Sequence, residues 1–517
     1  NTSASNTVGT SLSTSGQSAS YTPSSSTDGT KYYYCVVSGT CGSATSAVSG
    51  AFVVKVLPSI AEATSTNTCG TATLTATAAG TSTATWYSDS LGTIAVSTSG
   101  TTSTLTINNP STATIYYAYT FANGCRSQNY REAVVELKYT NTWVGGTTNS
   151  LTDWFTTSNW SCGSVPTVNT NVVIPTSLTN YPVITGANAV ANKITSSGNL
   201  SVGTTSVSSS LTVTNEVVVS SGSFVVNSGS NLVQSNPLAV NSGNITVYRN
   251  SNSLNRLDYT LWSSPVLNRN LFGFSEATVT TRFYMYDTPN RLFVNKDITS
   301  GSMPALTSTN NFEVGRGYLI RTPNNWVDSG LPQVFQGVFT GVPNNGTITV
   351  PLVDAGSSAE NKYNLVGNPY PSAISIDEFV RVNQTKIDGT IYLWRQTYSS
   401  PTSSAYCVFN SLGYQSNGDA NAGDPVVQSN TKSIPVGQGF FVKAIGTNSG
   451  ASVEFNNDMR VASTNGHFHR TMELEKHRIW LNATSSTGLF SQMLLGYVQD
   501  ATNGVDSKFD GTSMGDG

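Results

Sequence analysis

The sequence predicts an all-β protein built from several domains, and three observations lead to this. Ser, Thr, Asn and Gly are abundant, while charged residues make up only 10% of the 517 residues, against roughly 25% in an average globular protein. Short apolar runs alternate with turn residues, and the frequent β-branched Thr and Val favour strands. Several stretches also repeat, and the length allows roughly three to five domains.

The composition excludes several classes of protein. Hydrophobic residues make up 38% and include 23 Tyr, 19 Phe and 8 Trp, so the chain can bury several cores and is not disordered. The net charge of −3 offers no basic surface for phosphates, and we expect no nucleic-acid partner. Because no run of about 18 apolar residues is present, we expect no membrane insertion.

Residues 58–138 are predicted to form an immunoglobulin-like sandwich of short alternating strands. The order Cys69, Trp86, Cys125 is typical of that fold, in which a Trp packs against a disulfide joining the two sheets. Tyr117 fits the start of the penultimate strand. We therefore predict a Cys69–Cys125 disulfide, with two buried free thiols as the alternative.

Residues 1–57 repeat the second half of this sandwich. The Tyr pair at 33–34 corresponds to the pair at 116–117, and Cys41 corresponds to the second cysteine of the repeat. We interpret 1–57 as an incomplete immunoglobulin-like repeat and expect its first half, with further copies, upstream. Cys41 then pairs either with an upstream cysteine or with Cys35 across a hairpin.

Residues 139–250 carry apolar runs of three to five residues with Ser-Gly or Asn-Ser-Gly corners. This pattern favours a parallel β-helix whose turns stack into one core, with a further β-sandwich as the alternative. The segment opens with aromatic side chains at Trp143, Trp154, Phe155 and Trp160. They are expected to cap the end of the solenoid, or alternatively to form a platform on which sugars stack.

Residues 251–360 and 361–460 are predicted to be two related β-sandwich subdomains that pack together. Three ordered sequence matches indicate this duplication: 259–265 with 363–369, 283–286 with 391–394, and 314–321 with 436–443. The last pair contains a Gly-x-Gly, but neither copy opens a helix, so a phosphate-binding loop is excluded in favour of a glycine bulge or tight strand entry.

The sequence offers little catalytic chemistry. Of the three histidines His467, His469 and His477, the alternating pair His467 and His469 is interpreted as linker surface, with a two-histidine metal site as the alternative. Neither an activated nucleophile nor a pair of catalytic carboxylates is marked, so we expect no enzyme. The only cofactor suggested is a structural calcium ion, since Asp and Asn oxygens suit that cation. The candidate ligands are Asp500, Asn503, Asp506 and Asp510, with a weaker Asx-rich stretch at 417–424, and ordinary turns are the alternative.

The C-terminal third resembles a known family. Its motifs are NLVGNPYPSAI, GQGFFVKA, FNNDMRV and HRIWLNATSSTGLFSQMLLGYVQDATNGVDSKFDG. They are similar to very large Bacteroidota surface proteins exported by the type IX secretion system. The resemblance implies a translocon partner during export and an extracellular or outer-surface location on a Gram-negative bacterium. It also implies that 461–517 begins the β region ahead of a C-terminal sorting domain, expected downstream. It supplies no catalytic residues, because members are adhesins, gliding-associated or uncharacterised.

The leading hypothesis is therefore a non-catalytic secreted or cell-surface protein that acts as an adhesin, stalk or structural fibre. Its partners are glycans or other cell-surface proteins. One alternative is a carbohydrate-binding protein that uses exposed indoles, with the candidates Trp143, Trp154, Trp160, Trp326 and Trp394. The other alternative is the non-catalytic C-terminal part of an exported enzyme.

Overall fold

The described part of the chain is almost entirely β-structure, which confirms the predicted fold class. The computed structural model describes residues 2–11, 20–295, 310–327, 331–354, 362–394, 406–410, 412–415, 433–446, 450–462, 477–484, 486, 490–498, 501–506 and 509–511. These residues form two compact units, 1–139 and 140–517. No helix among them is long or apolar enough to cross a membrane.

The first unit begins with two small antiparallel pairs of strands. They are formed by β1 (Gly29–Lys31) with β4 (Phe52–Val54), and by β2 (Val36–Gly39) with β3 (Gly42–Thr45). The β2–β3 hairpin is exposed along both strands, and Thr40 and Cys41 form its turn. Val36, Val37 and Val53 on these strands are more than half exposed.

The rest of the first unit is a two-sheet sandwich. One sheet contains β5 (Glu62–Thr68), β6 (Thr71–Thr77) and β8 (Thr102–Asn108); the other contains β7 (Thr83–Tyr87), β9 (Ile115–Ala122), β10 (Cys125–Arg126) and β11 (Arg131–Val134). Small inward side chains, mostly alanine, surround Trp86, which is fully buried. Its indole N–H donates to the Ser103 carbonyl oxygen at 3.2 Å. The core is thus a large indole set among small residues.

The second unit opens with a β-solenoid of about four turns, as predicted. The first of its three faces contains β12 (Tyr139–Thr142), β13 (Thr170–Ile174), β16 (Lys193–Ser196) and β19 (Val217–Val219). The second contains β14 (Val183–Ile184), β17 (Leu200–Val202), β20 (Phe224–Val226) and β22 (Ile245–Leu254). The third contains β15 (Asn188–Ala191), β18 (Ser210–Val213) and β21 (Asn231–Gln234). Strands of successive turns pair in parallel, as in Val172 with Ile194 and Leu211 with Leu232. Parallel pairing excludes the alternative of a further sandwich.

A ladder of asparagine side chains stacks along one corner of the solenoid. Asn192 donates from Nδ2 to Asn171 Oδ1 at 2.6 Å, and Asn215 donates to Asn192 Oδ1 at 2.8 Å. Asn236 continues the ladder by donating to Asn215 Oδ1 at 2.8 Å. Each inner amide therefore both donates and accepts between neighbouring turns, which fixes their stacking without any charge.

The solenoid continues directly into the next body through β22, which runs across the predicted boundary at residue 250. One edge of β22 pairs with β20 of the solenoid, and its other edge pairs antiparallel with β27 (Gln333–Gly341). In this pair Val247 lies opposite Phe339. Both side chains belong to the core cluster that fills the solenoid. One hydrophobic core thus extends from the solenoid into the first of the two duplicated stretches.

The two duplicated sequence stretches form two sheets with the same strand order. The first has the order β23 (Tyr259–Trp262), β26 (Tyr318–Arg321), β24 (Phe283–Asp287), β25 (Leu292–Asn295); the second has β29 (Tyr363–Gly367), β35 (Gly439–Ala444), β31 (Ile387–Trp394), β32 (Tyr406–Phe409), β33 (Tyr414–Gln415). All neighbouring strands are antiparallel. The sheets share a core that includes Leu261, Leu319, Tyr392 and Phe441.

Short elements complete the second unit. They are the helices α1 (Leu271–Phe274) and α2 (Ile376–Asn383), the 3-10 turns Thr157–Asn159, Thr280–Arg282 and Asn457–Met459, the pair β28 (Ile348–Pro351) and β36 (Ser452–Phe455), the sheet of β30 (Ala373–Ser375), β34 (Ser433–Ile434) and β37 (Arg460–Val461), and the hairpin of β38 (His477–Thr484) and β39 (Phe490–Tyr497). The hydroxyl of Ser375 caps α2 by accepting from the Glu378 N–H at 3.3 Å.

Candidate functional site

The predicted Cys69–Cys125 disulfide is wrong. Cys69 and Cys162 are disulfide-bonded, whereas Cys125 is a free thiol. Cys69 and Gly70 form the two-residue turn between β5 and β6, with positive φ angles of 53° and 85°. This turn lies at the end of the sandwich, and Ala72, Leu74 and Ala76 occupy the inward positions of β6. Cys125 follows a similar turn between β9 and β10, so neither cysteine points into the core beside Trp86.

The alternative pairing of Cys41 with Cys35 is wrong as well, since both are exposed free thiols. The hairpin register explains this. Cys41 lies in the turn after Gly39, whereas Cys35 lies beyond the far end of β2, where its carbonyl oxygen accepts from the Ser46 N–H at 2.8 Å. Four strand residues separate the two cysteines, which is too far for a disulfide.

The indoles at the start of the solenoid are buried. Trp143 and Trp154 are fully buried and Trp160 is 2% exposed. Trp160 packs edge-on against both, with ring centres 5.1 Å and 4.7 Å away. Its Nε1–H donates to the Trp154 carbonyl oxygen at 2.8 Å. Such buried rings close the solenoid core and offer no face to a sugar; Trp326 and Trp394 are only partly buried.

The calcium candidates form a hydrogen-bonded turn as far as they are described; Asp500 and residues 417–424 lie outside the described residues. The Asp506 carboxylate accepts from the Thr502 hydroxyl at 2.9 Å, and Asp510 accepts from the Asp506 N–H at 2.7 Å. Asn503 is exposed in the same turn. Within the described ranges no group of three or more His, Cys, Asp or Glu side chains is placed to hold a metal ion.

Of the three histidines, His467 and His469 fall outside the described residues. His477 begins β38 and is exposed, opposite Tyr497.

Two of the motifs that carry the family resemblance meet at the end of the solenoid. Arg460, from FNNDMRV, is buried there and donates from Nη2 to the Leu232 carbonyl oxygen at 2.7 Å. Its other nitrogens donate to Asn345 Oδ1 at 2.9 Å and to Ser372 Oγ at 3.2 Å, the latter from NLVGNPYPSAI. Burial lowers the pKa of Arg460 to about 9, so the side chain stays charged at neutral pH.

Asparagine side chains complete this junction. Asn457 donates to the Gln234 carbonyl oxygen at 2.9 Å and to Asn345 Oδ1 at 2.8 Å. Asn231 Oδ1 accepts from the Ala373 N–H at 2.8 Å. The solenoid's last turn is therefore joined to the sheets by buried, hydrogen-bonded polar groups. The motifs themselves gave no sign of this role, because their partners lie far away in the sequence.

A cleft of about 330 Å³ lies where β24 ends, beside the turn before β26 and the start of β29. Met285, Val294 and Leu365 contribute apolar side chains to its lining. Asp287, Glu313 and Arg316 add the charged groups. Arg316 Nε lies 4.0 Å from Glu313 Oε2, and these side chains are 29% and 50% exposed. The arrangement presents donors and acceptors beside an apolar surface, and sequence reasoning missed it.

The comparisons with known proteins identify a family but no function. A family model described as "Domain of unknown function (DUF8693)" matches residues 142–517. No curated protein matches the chain. The family match spans the solenoid, both duplicated sheets and the residues after them, which is well over half of the chain. The chain therefore belongs to the DUF8693 family.

Proposed function

We propose that this chain is part of a non-catalytic protein, secreted or displayed on the cell surface, that serves as an adhesin, stalk or structural fibre. The observation that carries the proposal is the continuous core that runs from the solenoid through β22 into the first duplicated sheet. The asparagine ladder and the buried junction reinforce this body with hydrogen bonds rather than surface charge. Such a body suits a rigid spacer.

The extracellular location is part of the same proposal. The disulfide-bonded state of Cys69 and of Cys162 supports an oxidising compartment, since cytosolic thiols are kept reduced. The resemblance of the C-terminal motifs adds the type IX translocon as export partner. Labelling intact cells of the source bacterium with an antibody, in wild type and in a translocon-deficient strain, tests this. Surface signal in wild type alone is expected, and equal signal in both strains contradicts the export route.

The absence of catalysis is tested separately by a broad hydrolase and lyase screen with the purified chain. We expect no turnover above a heat-treated control. Turnover that is abolished by one point substitution contradicts the proposal and favours the alternative in which the chain belongs to an exported enzyme.

Carbohydrate recognition is the second candidate. The cleft favours it, because apolar side chains and charged groups line it together and sites for small ligands combine these two features. The tryptophans of the solenoid do not favour carbohydrate recognition, because they are buried.

A further inference from the structure

We propose that the cleft beside Arg316 binds a neutral sugar, as a mono- or disaccharide unit of a larger glycan. This rests on the proposed adhesin function and names the chemistry that the adhesin recognises. The volume of about 330 Å³ lies at the lower end of the roughly 300–1,000 Å³ typical of ligand pockets, so it suits a small ligand.

The charged groups match the hydroxyls of a sugar. A carboxylate only accepts hydrogen bonds and a guanidinium only donates them, whereas a hydroxyl does both. Arg316 and Glu313 therefore form an adjacent donor and acceptor. Asp287 supplies a further acceptor, and its position is held because its carboxylate accepts from Asn290 Nδ2 at 2.8 Å and from the Asn290 N–H at 3.3 Å.

The apolar wall suits the C–H face of a pyranose ring. Met285 and Val294 lie opposite each other on β24 and β25, so their side chains are on the same side of the sheet. Leu365 is 5% exposed and lines the cleft from β29. A ring that lies against these side chains leaves its equatorial hydroxyls near the charged groups, where charge-assisted hydrogen bonds are strong.

The charge balance favours neutral over anionic sugars. Two carboxylates and one guanidinium among the cleft residues leave one net negative charge. Uronic acids, sialic acids and phosphates are repelled by this excess. A simple amine is the competing ligand, and the experiment includes it.

The turn that carries Glu313 and Arg316 is anchored to β29, so the cleft is preformed. Arg316 forms an isolated backbone bridge with Val366, and the Gly367 N–H donates to the Gly315 carbonyl oxygen at 2.9 Å. A Cβ at Gly317 would lie 2.7 Å from the Val366 carbonyl oxygen, so the chain passes very close to β29 here. A preformed site loses less entropy on binding.

Saturation-transfer NMR and calorimetry of the full chain test the proposal with glucose, galactose, mannose, N-acetylglucosamine and their disaccharides. Glucuronic acid, N-acetylneuraminic acid and n-butylamine form the comparison arms. We expect binding of at least one neutral sugar and weaker binding of the acids. Arg316→Ala and Asp287→Ala should each weaken that binding about tenfold or more. Asp287→Asn keeps an oxygen that accepts from the Asn290 N–H, so it serves as the second variant if Asp287→Ala does not fold.

Arg381→Ala is the matched control, because Arg381 and Glu378 form the same i,i+3 ion pair on α2, outside the cleft. Sugar affinity should change less than about twofold in this variant. The proposal is overturned if no neutral sugar binds, if only the amine binds, or if Arg316→Ala binds like wild type. If the chain still adheres to intact cells in these cases, only the sugar site in the cleft is contradicted and the adhesin function stands. Catalytic turnover by the chain would instead contradict the proposed function.

Discussion

The guanidinium carbon of Arg460 lies 4.8 Å from the centre of the Tyr370 ring, inside the junction between the solenoid and the duplicated sheets. The Tyr370 hydroxyl donates to the Gly346 carbonyl oxygen at 2.6 Å, so the ring is fixed below the cation. Among the described residues no carboxylate pairs with Arg460. Three neutral acceptors and an aromatic face thus hold a buried positive charge, and the charged form is favoured by the ring quadrupole.

Arg460→Ala is expected to lower the free energy of unfolding of the second unit by about 3 kcal/mol, because it leaves a cavity and an unpaired Leu232 carbonyl oxygen. Arg460→Met keeps most of the volume and removes the buried charge, so we expect a loss of only about 1 kcal/mol. Urea unfolding followed by tryptophan fluorescence measures both. Equal losses of unfolding free energy in the two variants contradict the inference that Arg460 stabilises the chain mainly by filling volume. Substitution of the exposed Arg381 by Ala serves as the control.

Asp388 makes stability depend on pH. Burial raises the pKa of its carboxyl from 3.8 to about 6. Between these pH values the folded chain keeps a proton that the unfolded chain has lost, so stability falls as pH rises from about 4 to about 6 and stays lower above. The shift of about two units corresponds to an effect on the order of 3 kcal/mol.

Asp388→Asn is therefore expected to stabilise the chain at pH 7.5, by up to about 3 kcal/mol, and to have little effect at pH 4. The Asn side chain keeps an oxygen to accept from the Thr390 N–H, which now lies 3.1 Å from Asp388 Oδ1. Thermal unfolding across this pH range is the measurement, with the exposed Asp458→Asn as control. A destabilised variant at pH 7.5 counts against the burial argument.

The buried tryptophans at the start of the solenoid predict losses of different size for two similar substitutions. The Trp154 Nε1–H is buried and has no hydrogen-bond partner in the described part of the chain, whereas that of Trp160 donates to the Trp154 carbonyl oxygen. Trp160→Phe should destabilise by about 1–2 kcal/mol, since it removes this bond and leaves a buried acceptor unpaired. Trp154→Phe should cost clearly less, because it removes an unsatisfied donor. Chemical denaturation compares the two, and a larger loss for Trp154→Phe refutes the assignment.

The cysteine states predict a labelling pattern. Without reductant, iodoacetamide should modify Cys35 and Cys41, which are exposed and free. Cys69 and Cys162 should become reactive only after reduction, and buried Cys407 only after unfolding. Peptide mass spectrometry reads out each site. Cys125→Ser should leave the disulfide intact, and its loss in that variant contradicts the observed bonding.

The local pattern of the sequence determined the fold class. Alternation of apolar and polar residues sets which side of a strand is buried, and Ser-Gly corners set where a strand ends, so both signals are read within a few residues. The solenoid and the repeated motifs were predictable for this reason. The three sequence matches of the duplication fall on β23 and β29, β24 and β31, and β26 and β35, the corresponding strands of the two sheets.

Only the tertiary structure decided the cysteine bonding, the junction and the cleft. Cys69 fits an inward disulfide by sequence order, but it lies in a turn, which that order does not specify. Arg460 bonds an acceptor 228 positions earlier, and the cleft combines residues from both copies of the duplication. Such contacts depend on how distant segments pack, and no local pattern encodes that. The sequence therefore determined which elements form, and packing decided which side chains meet.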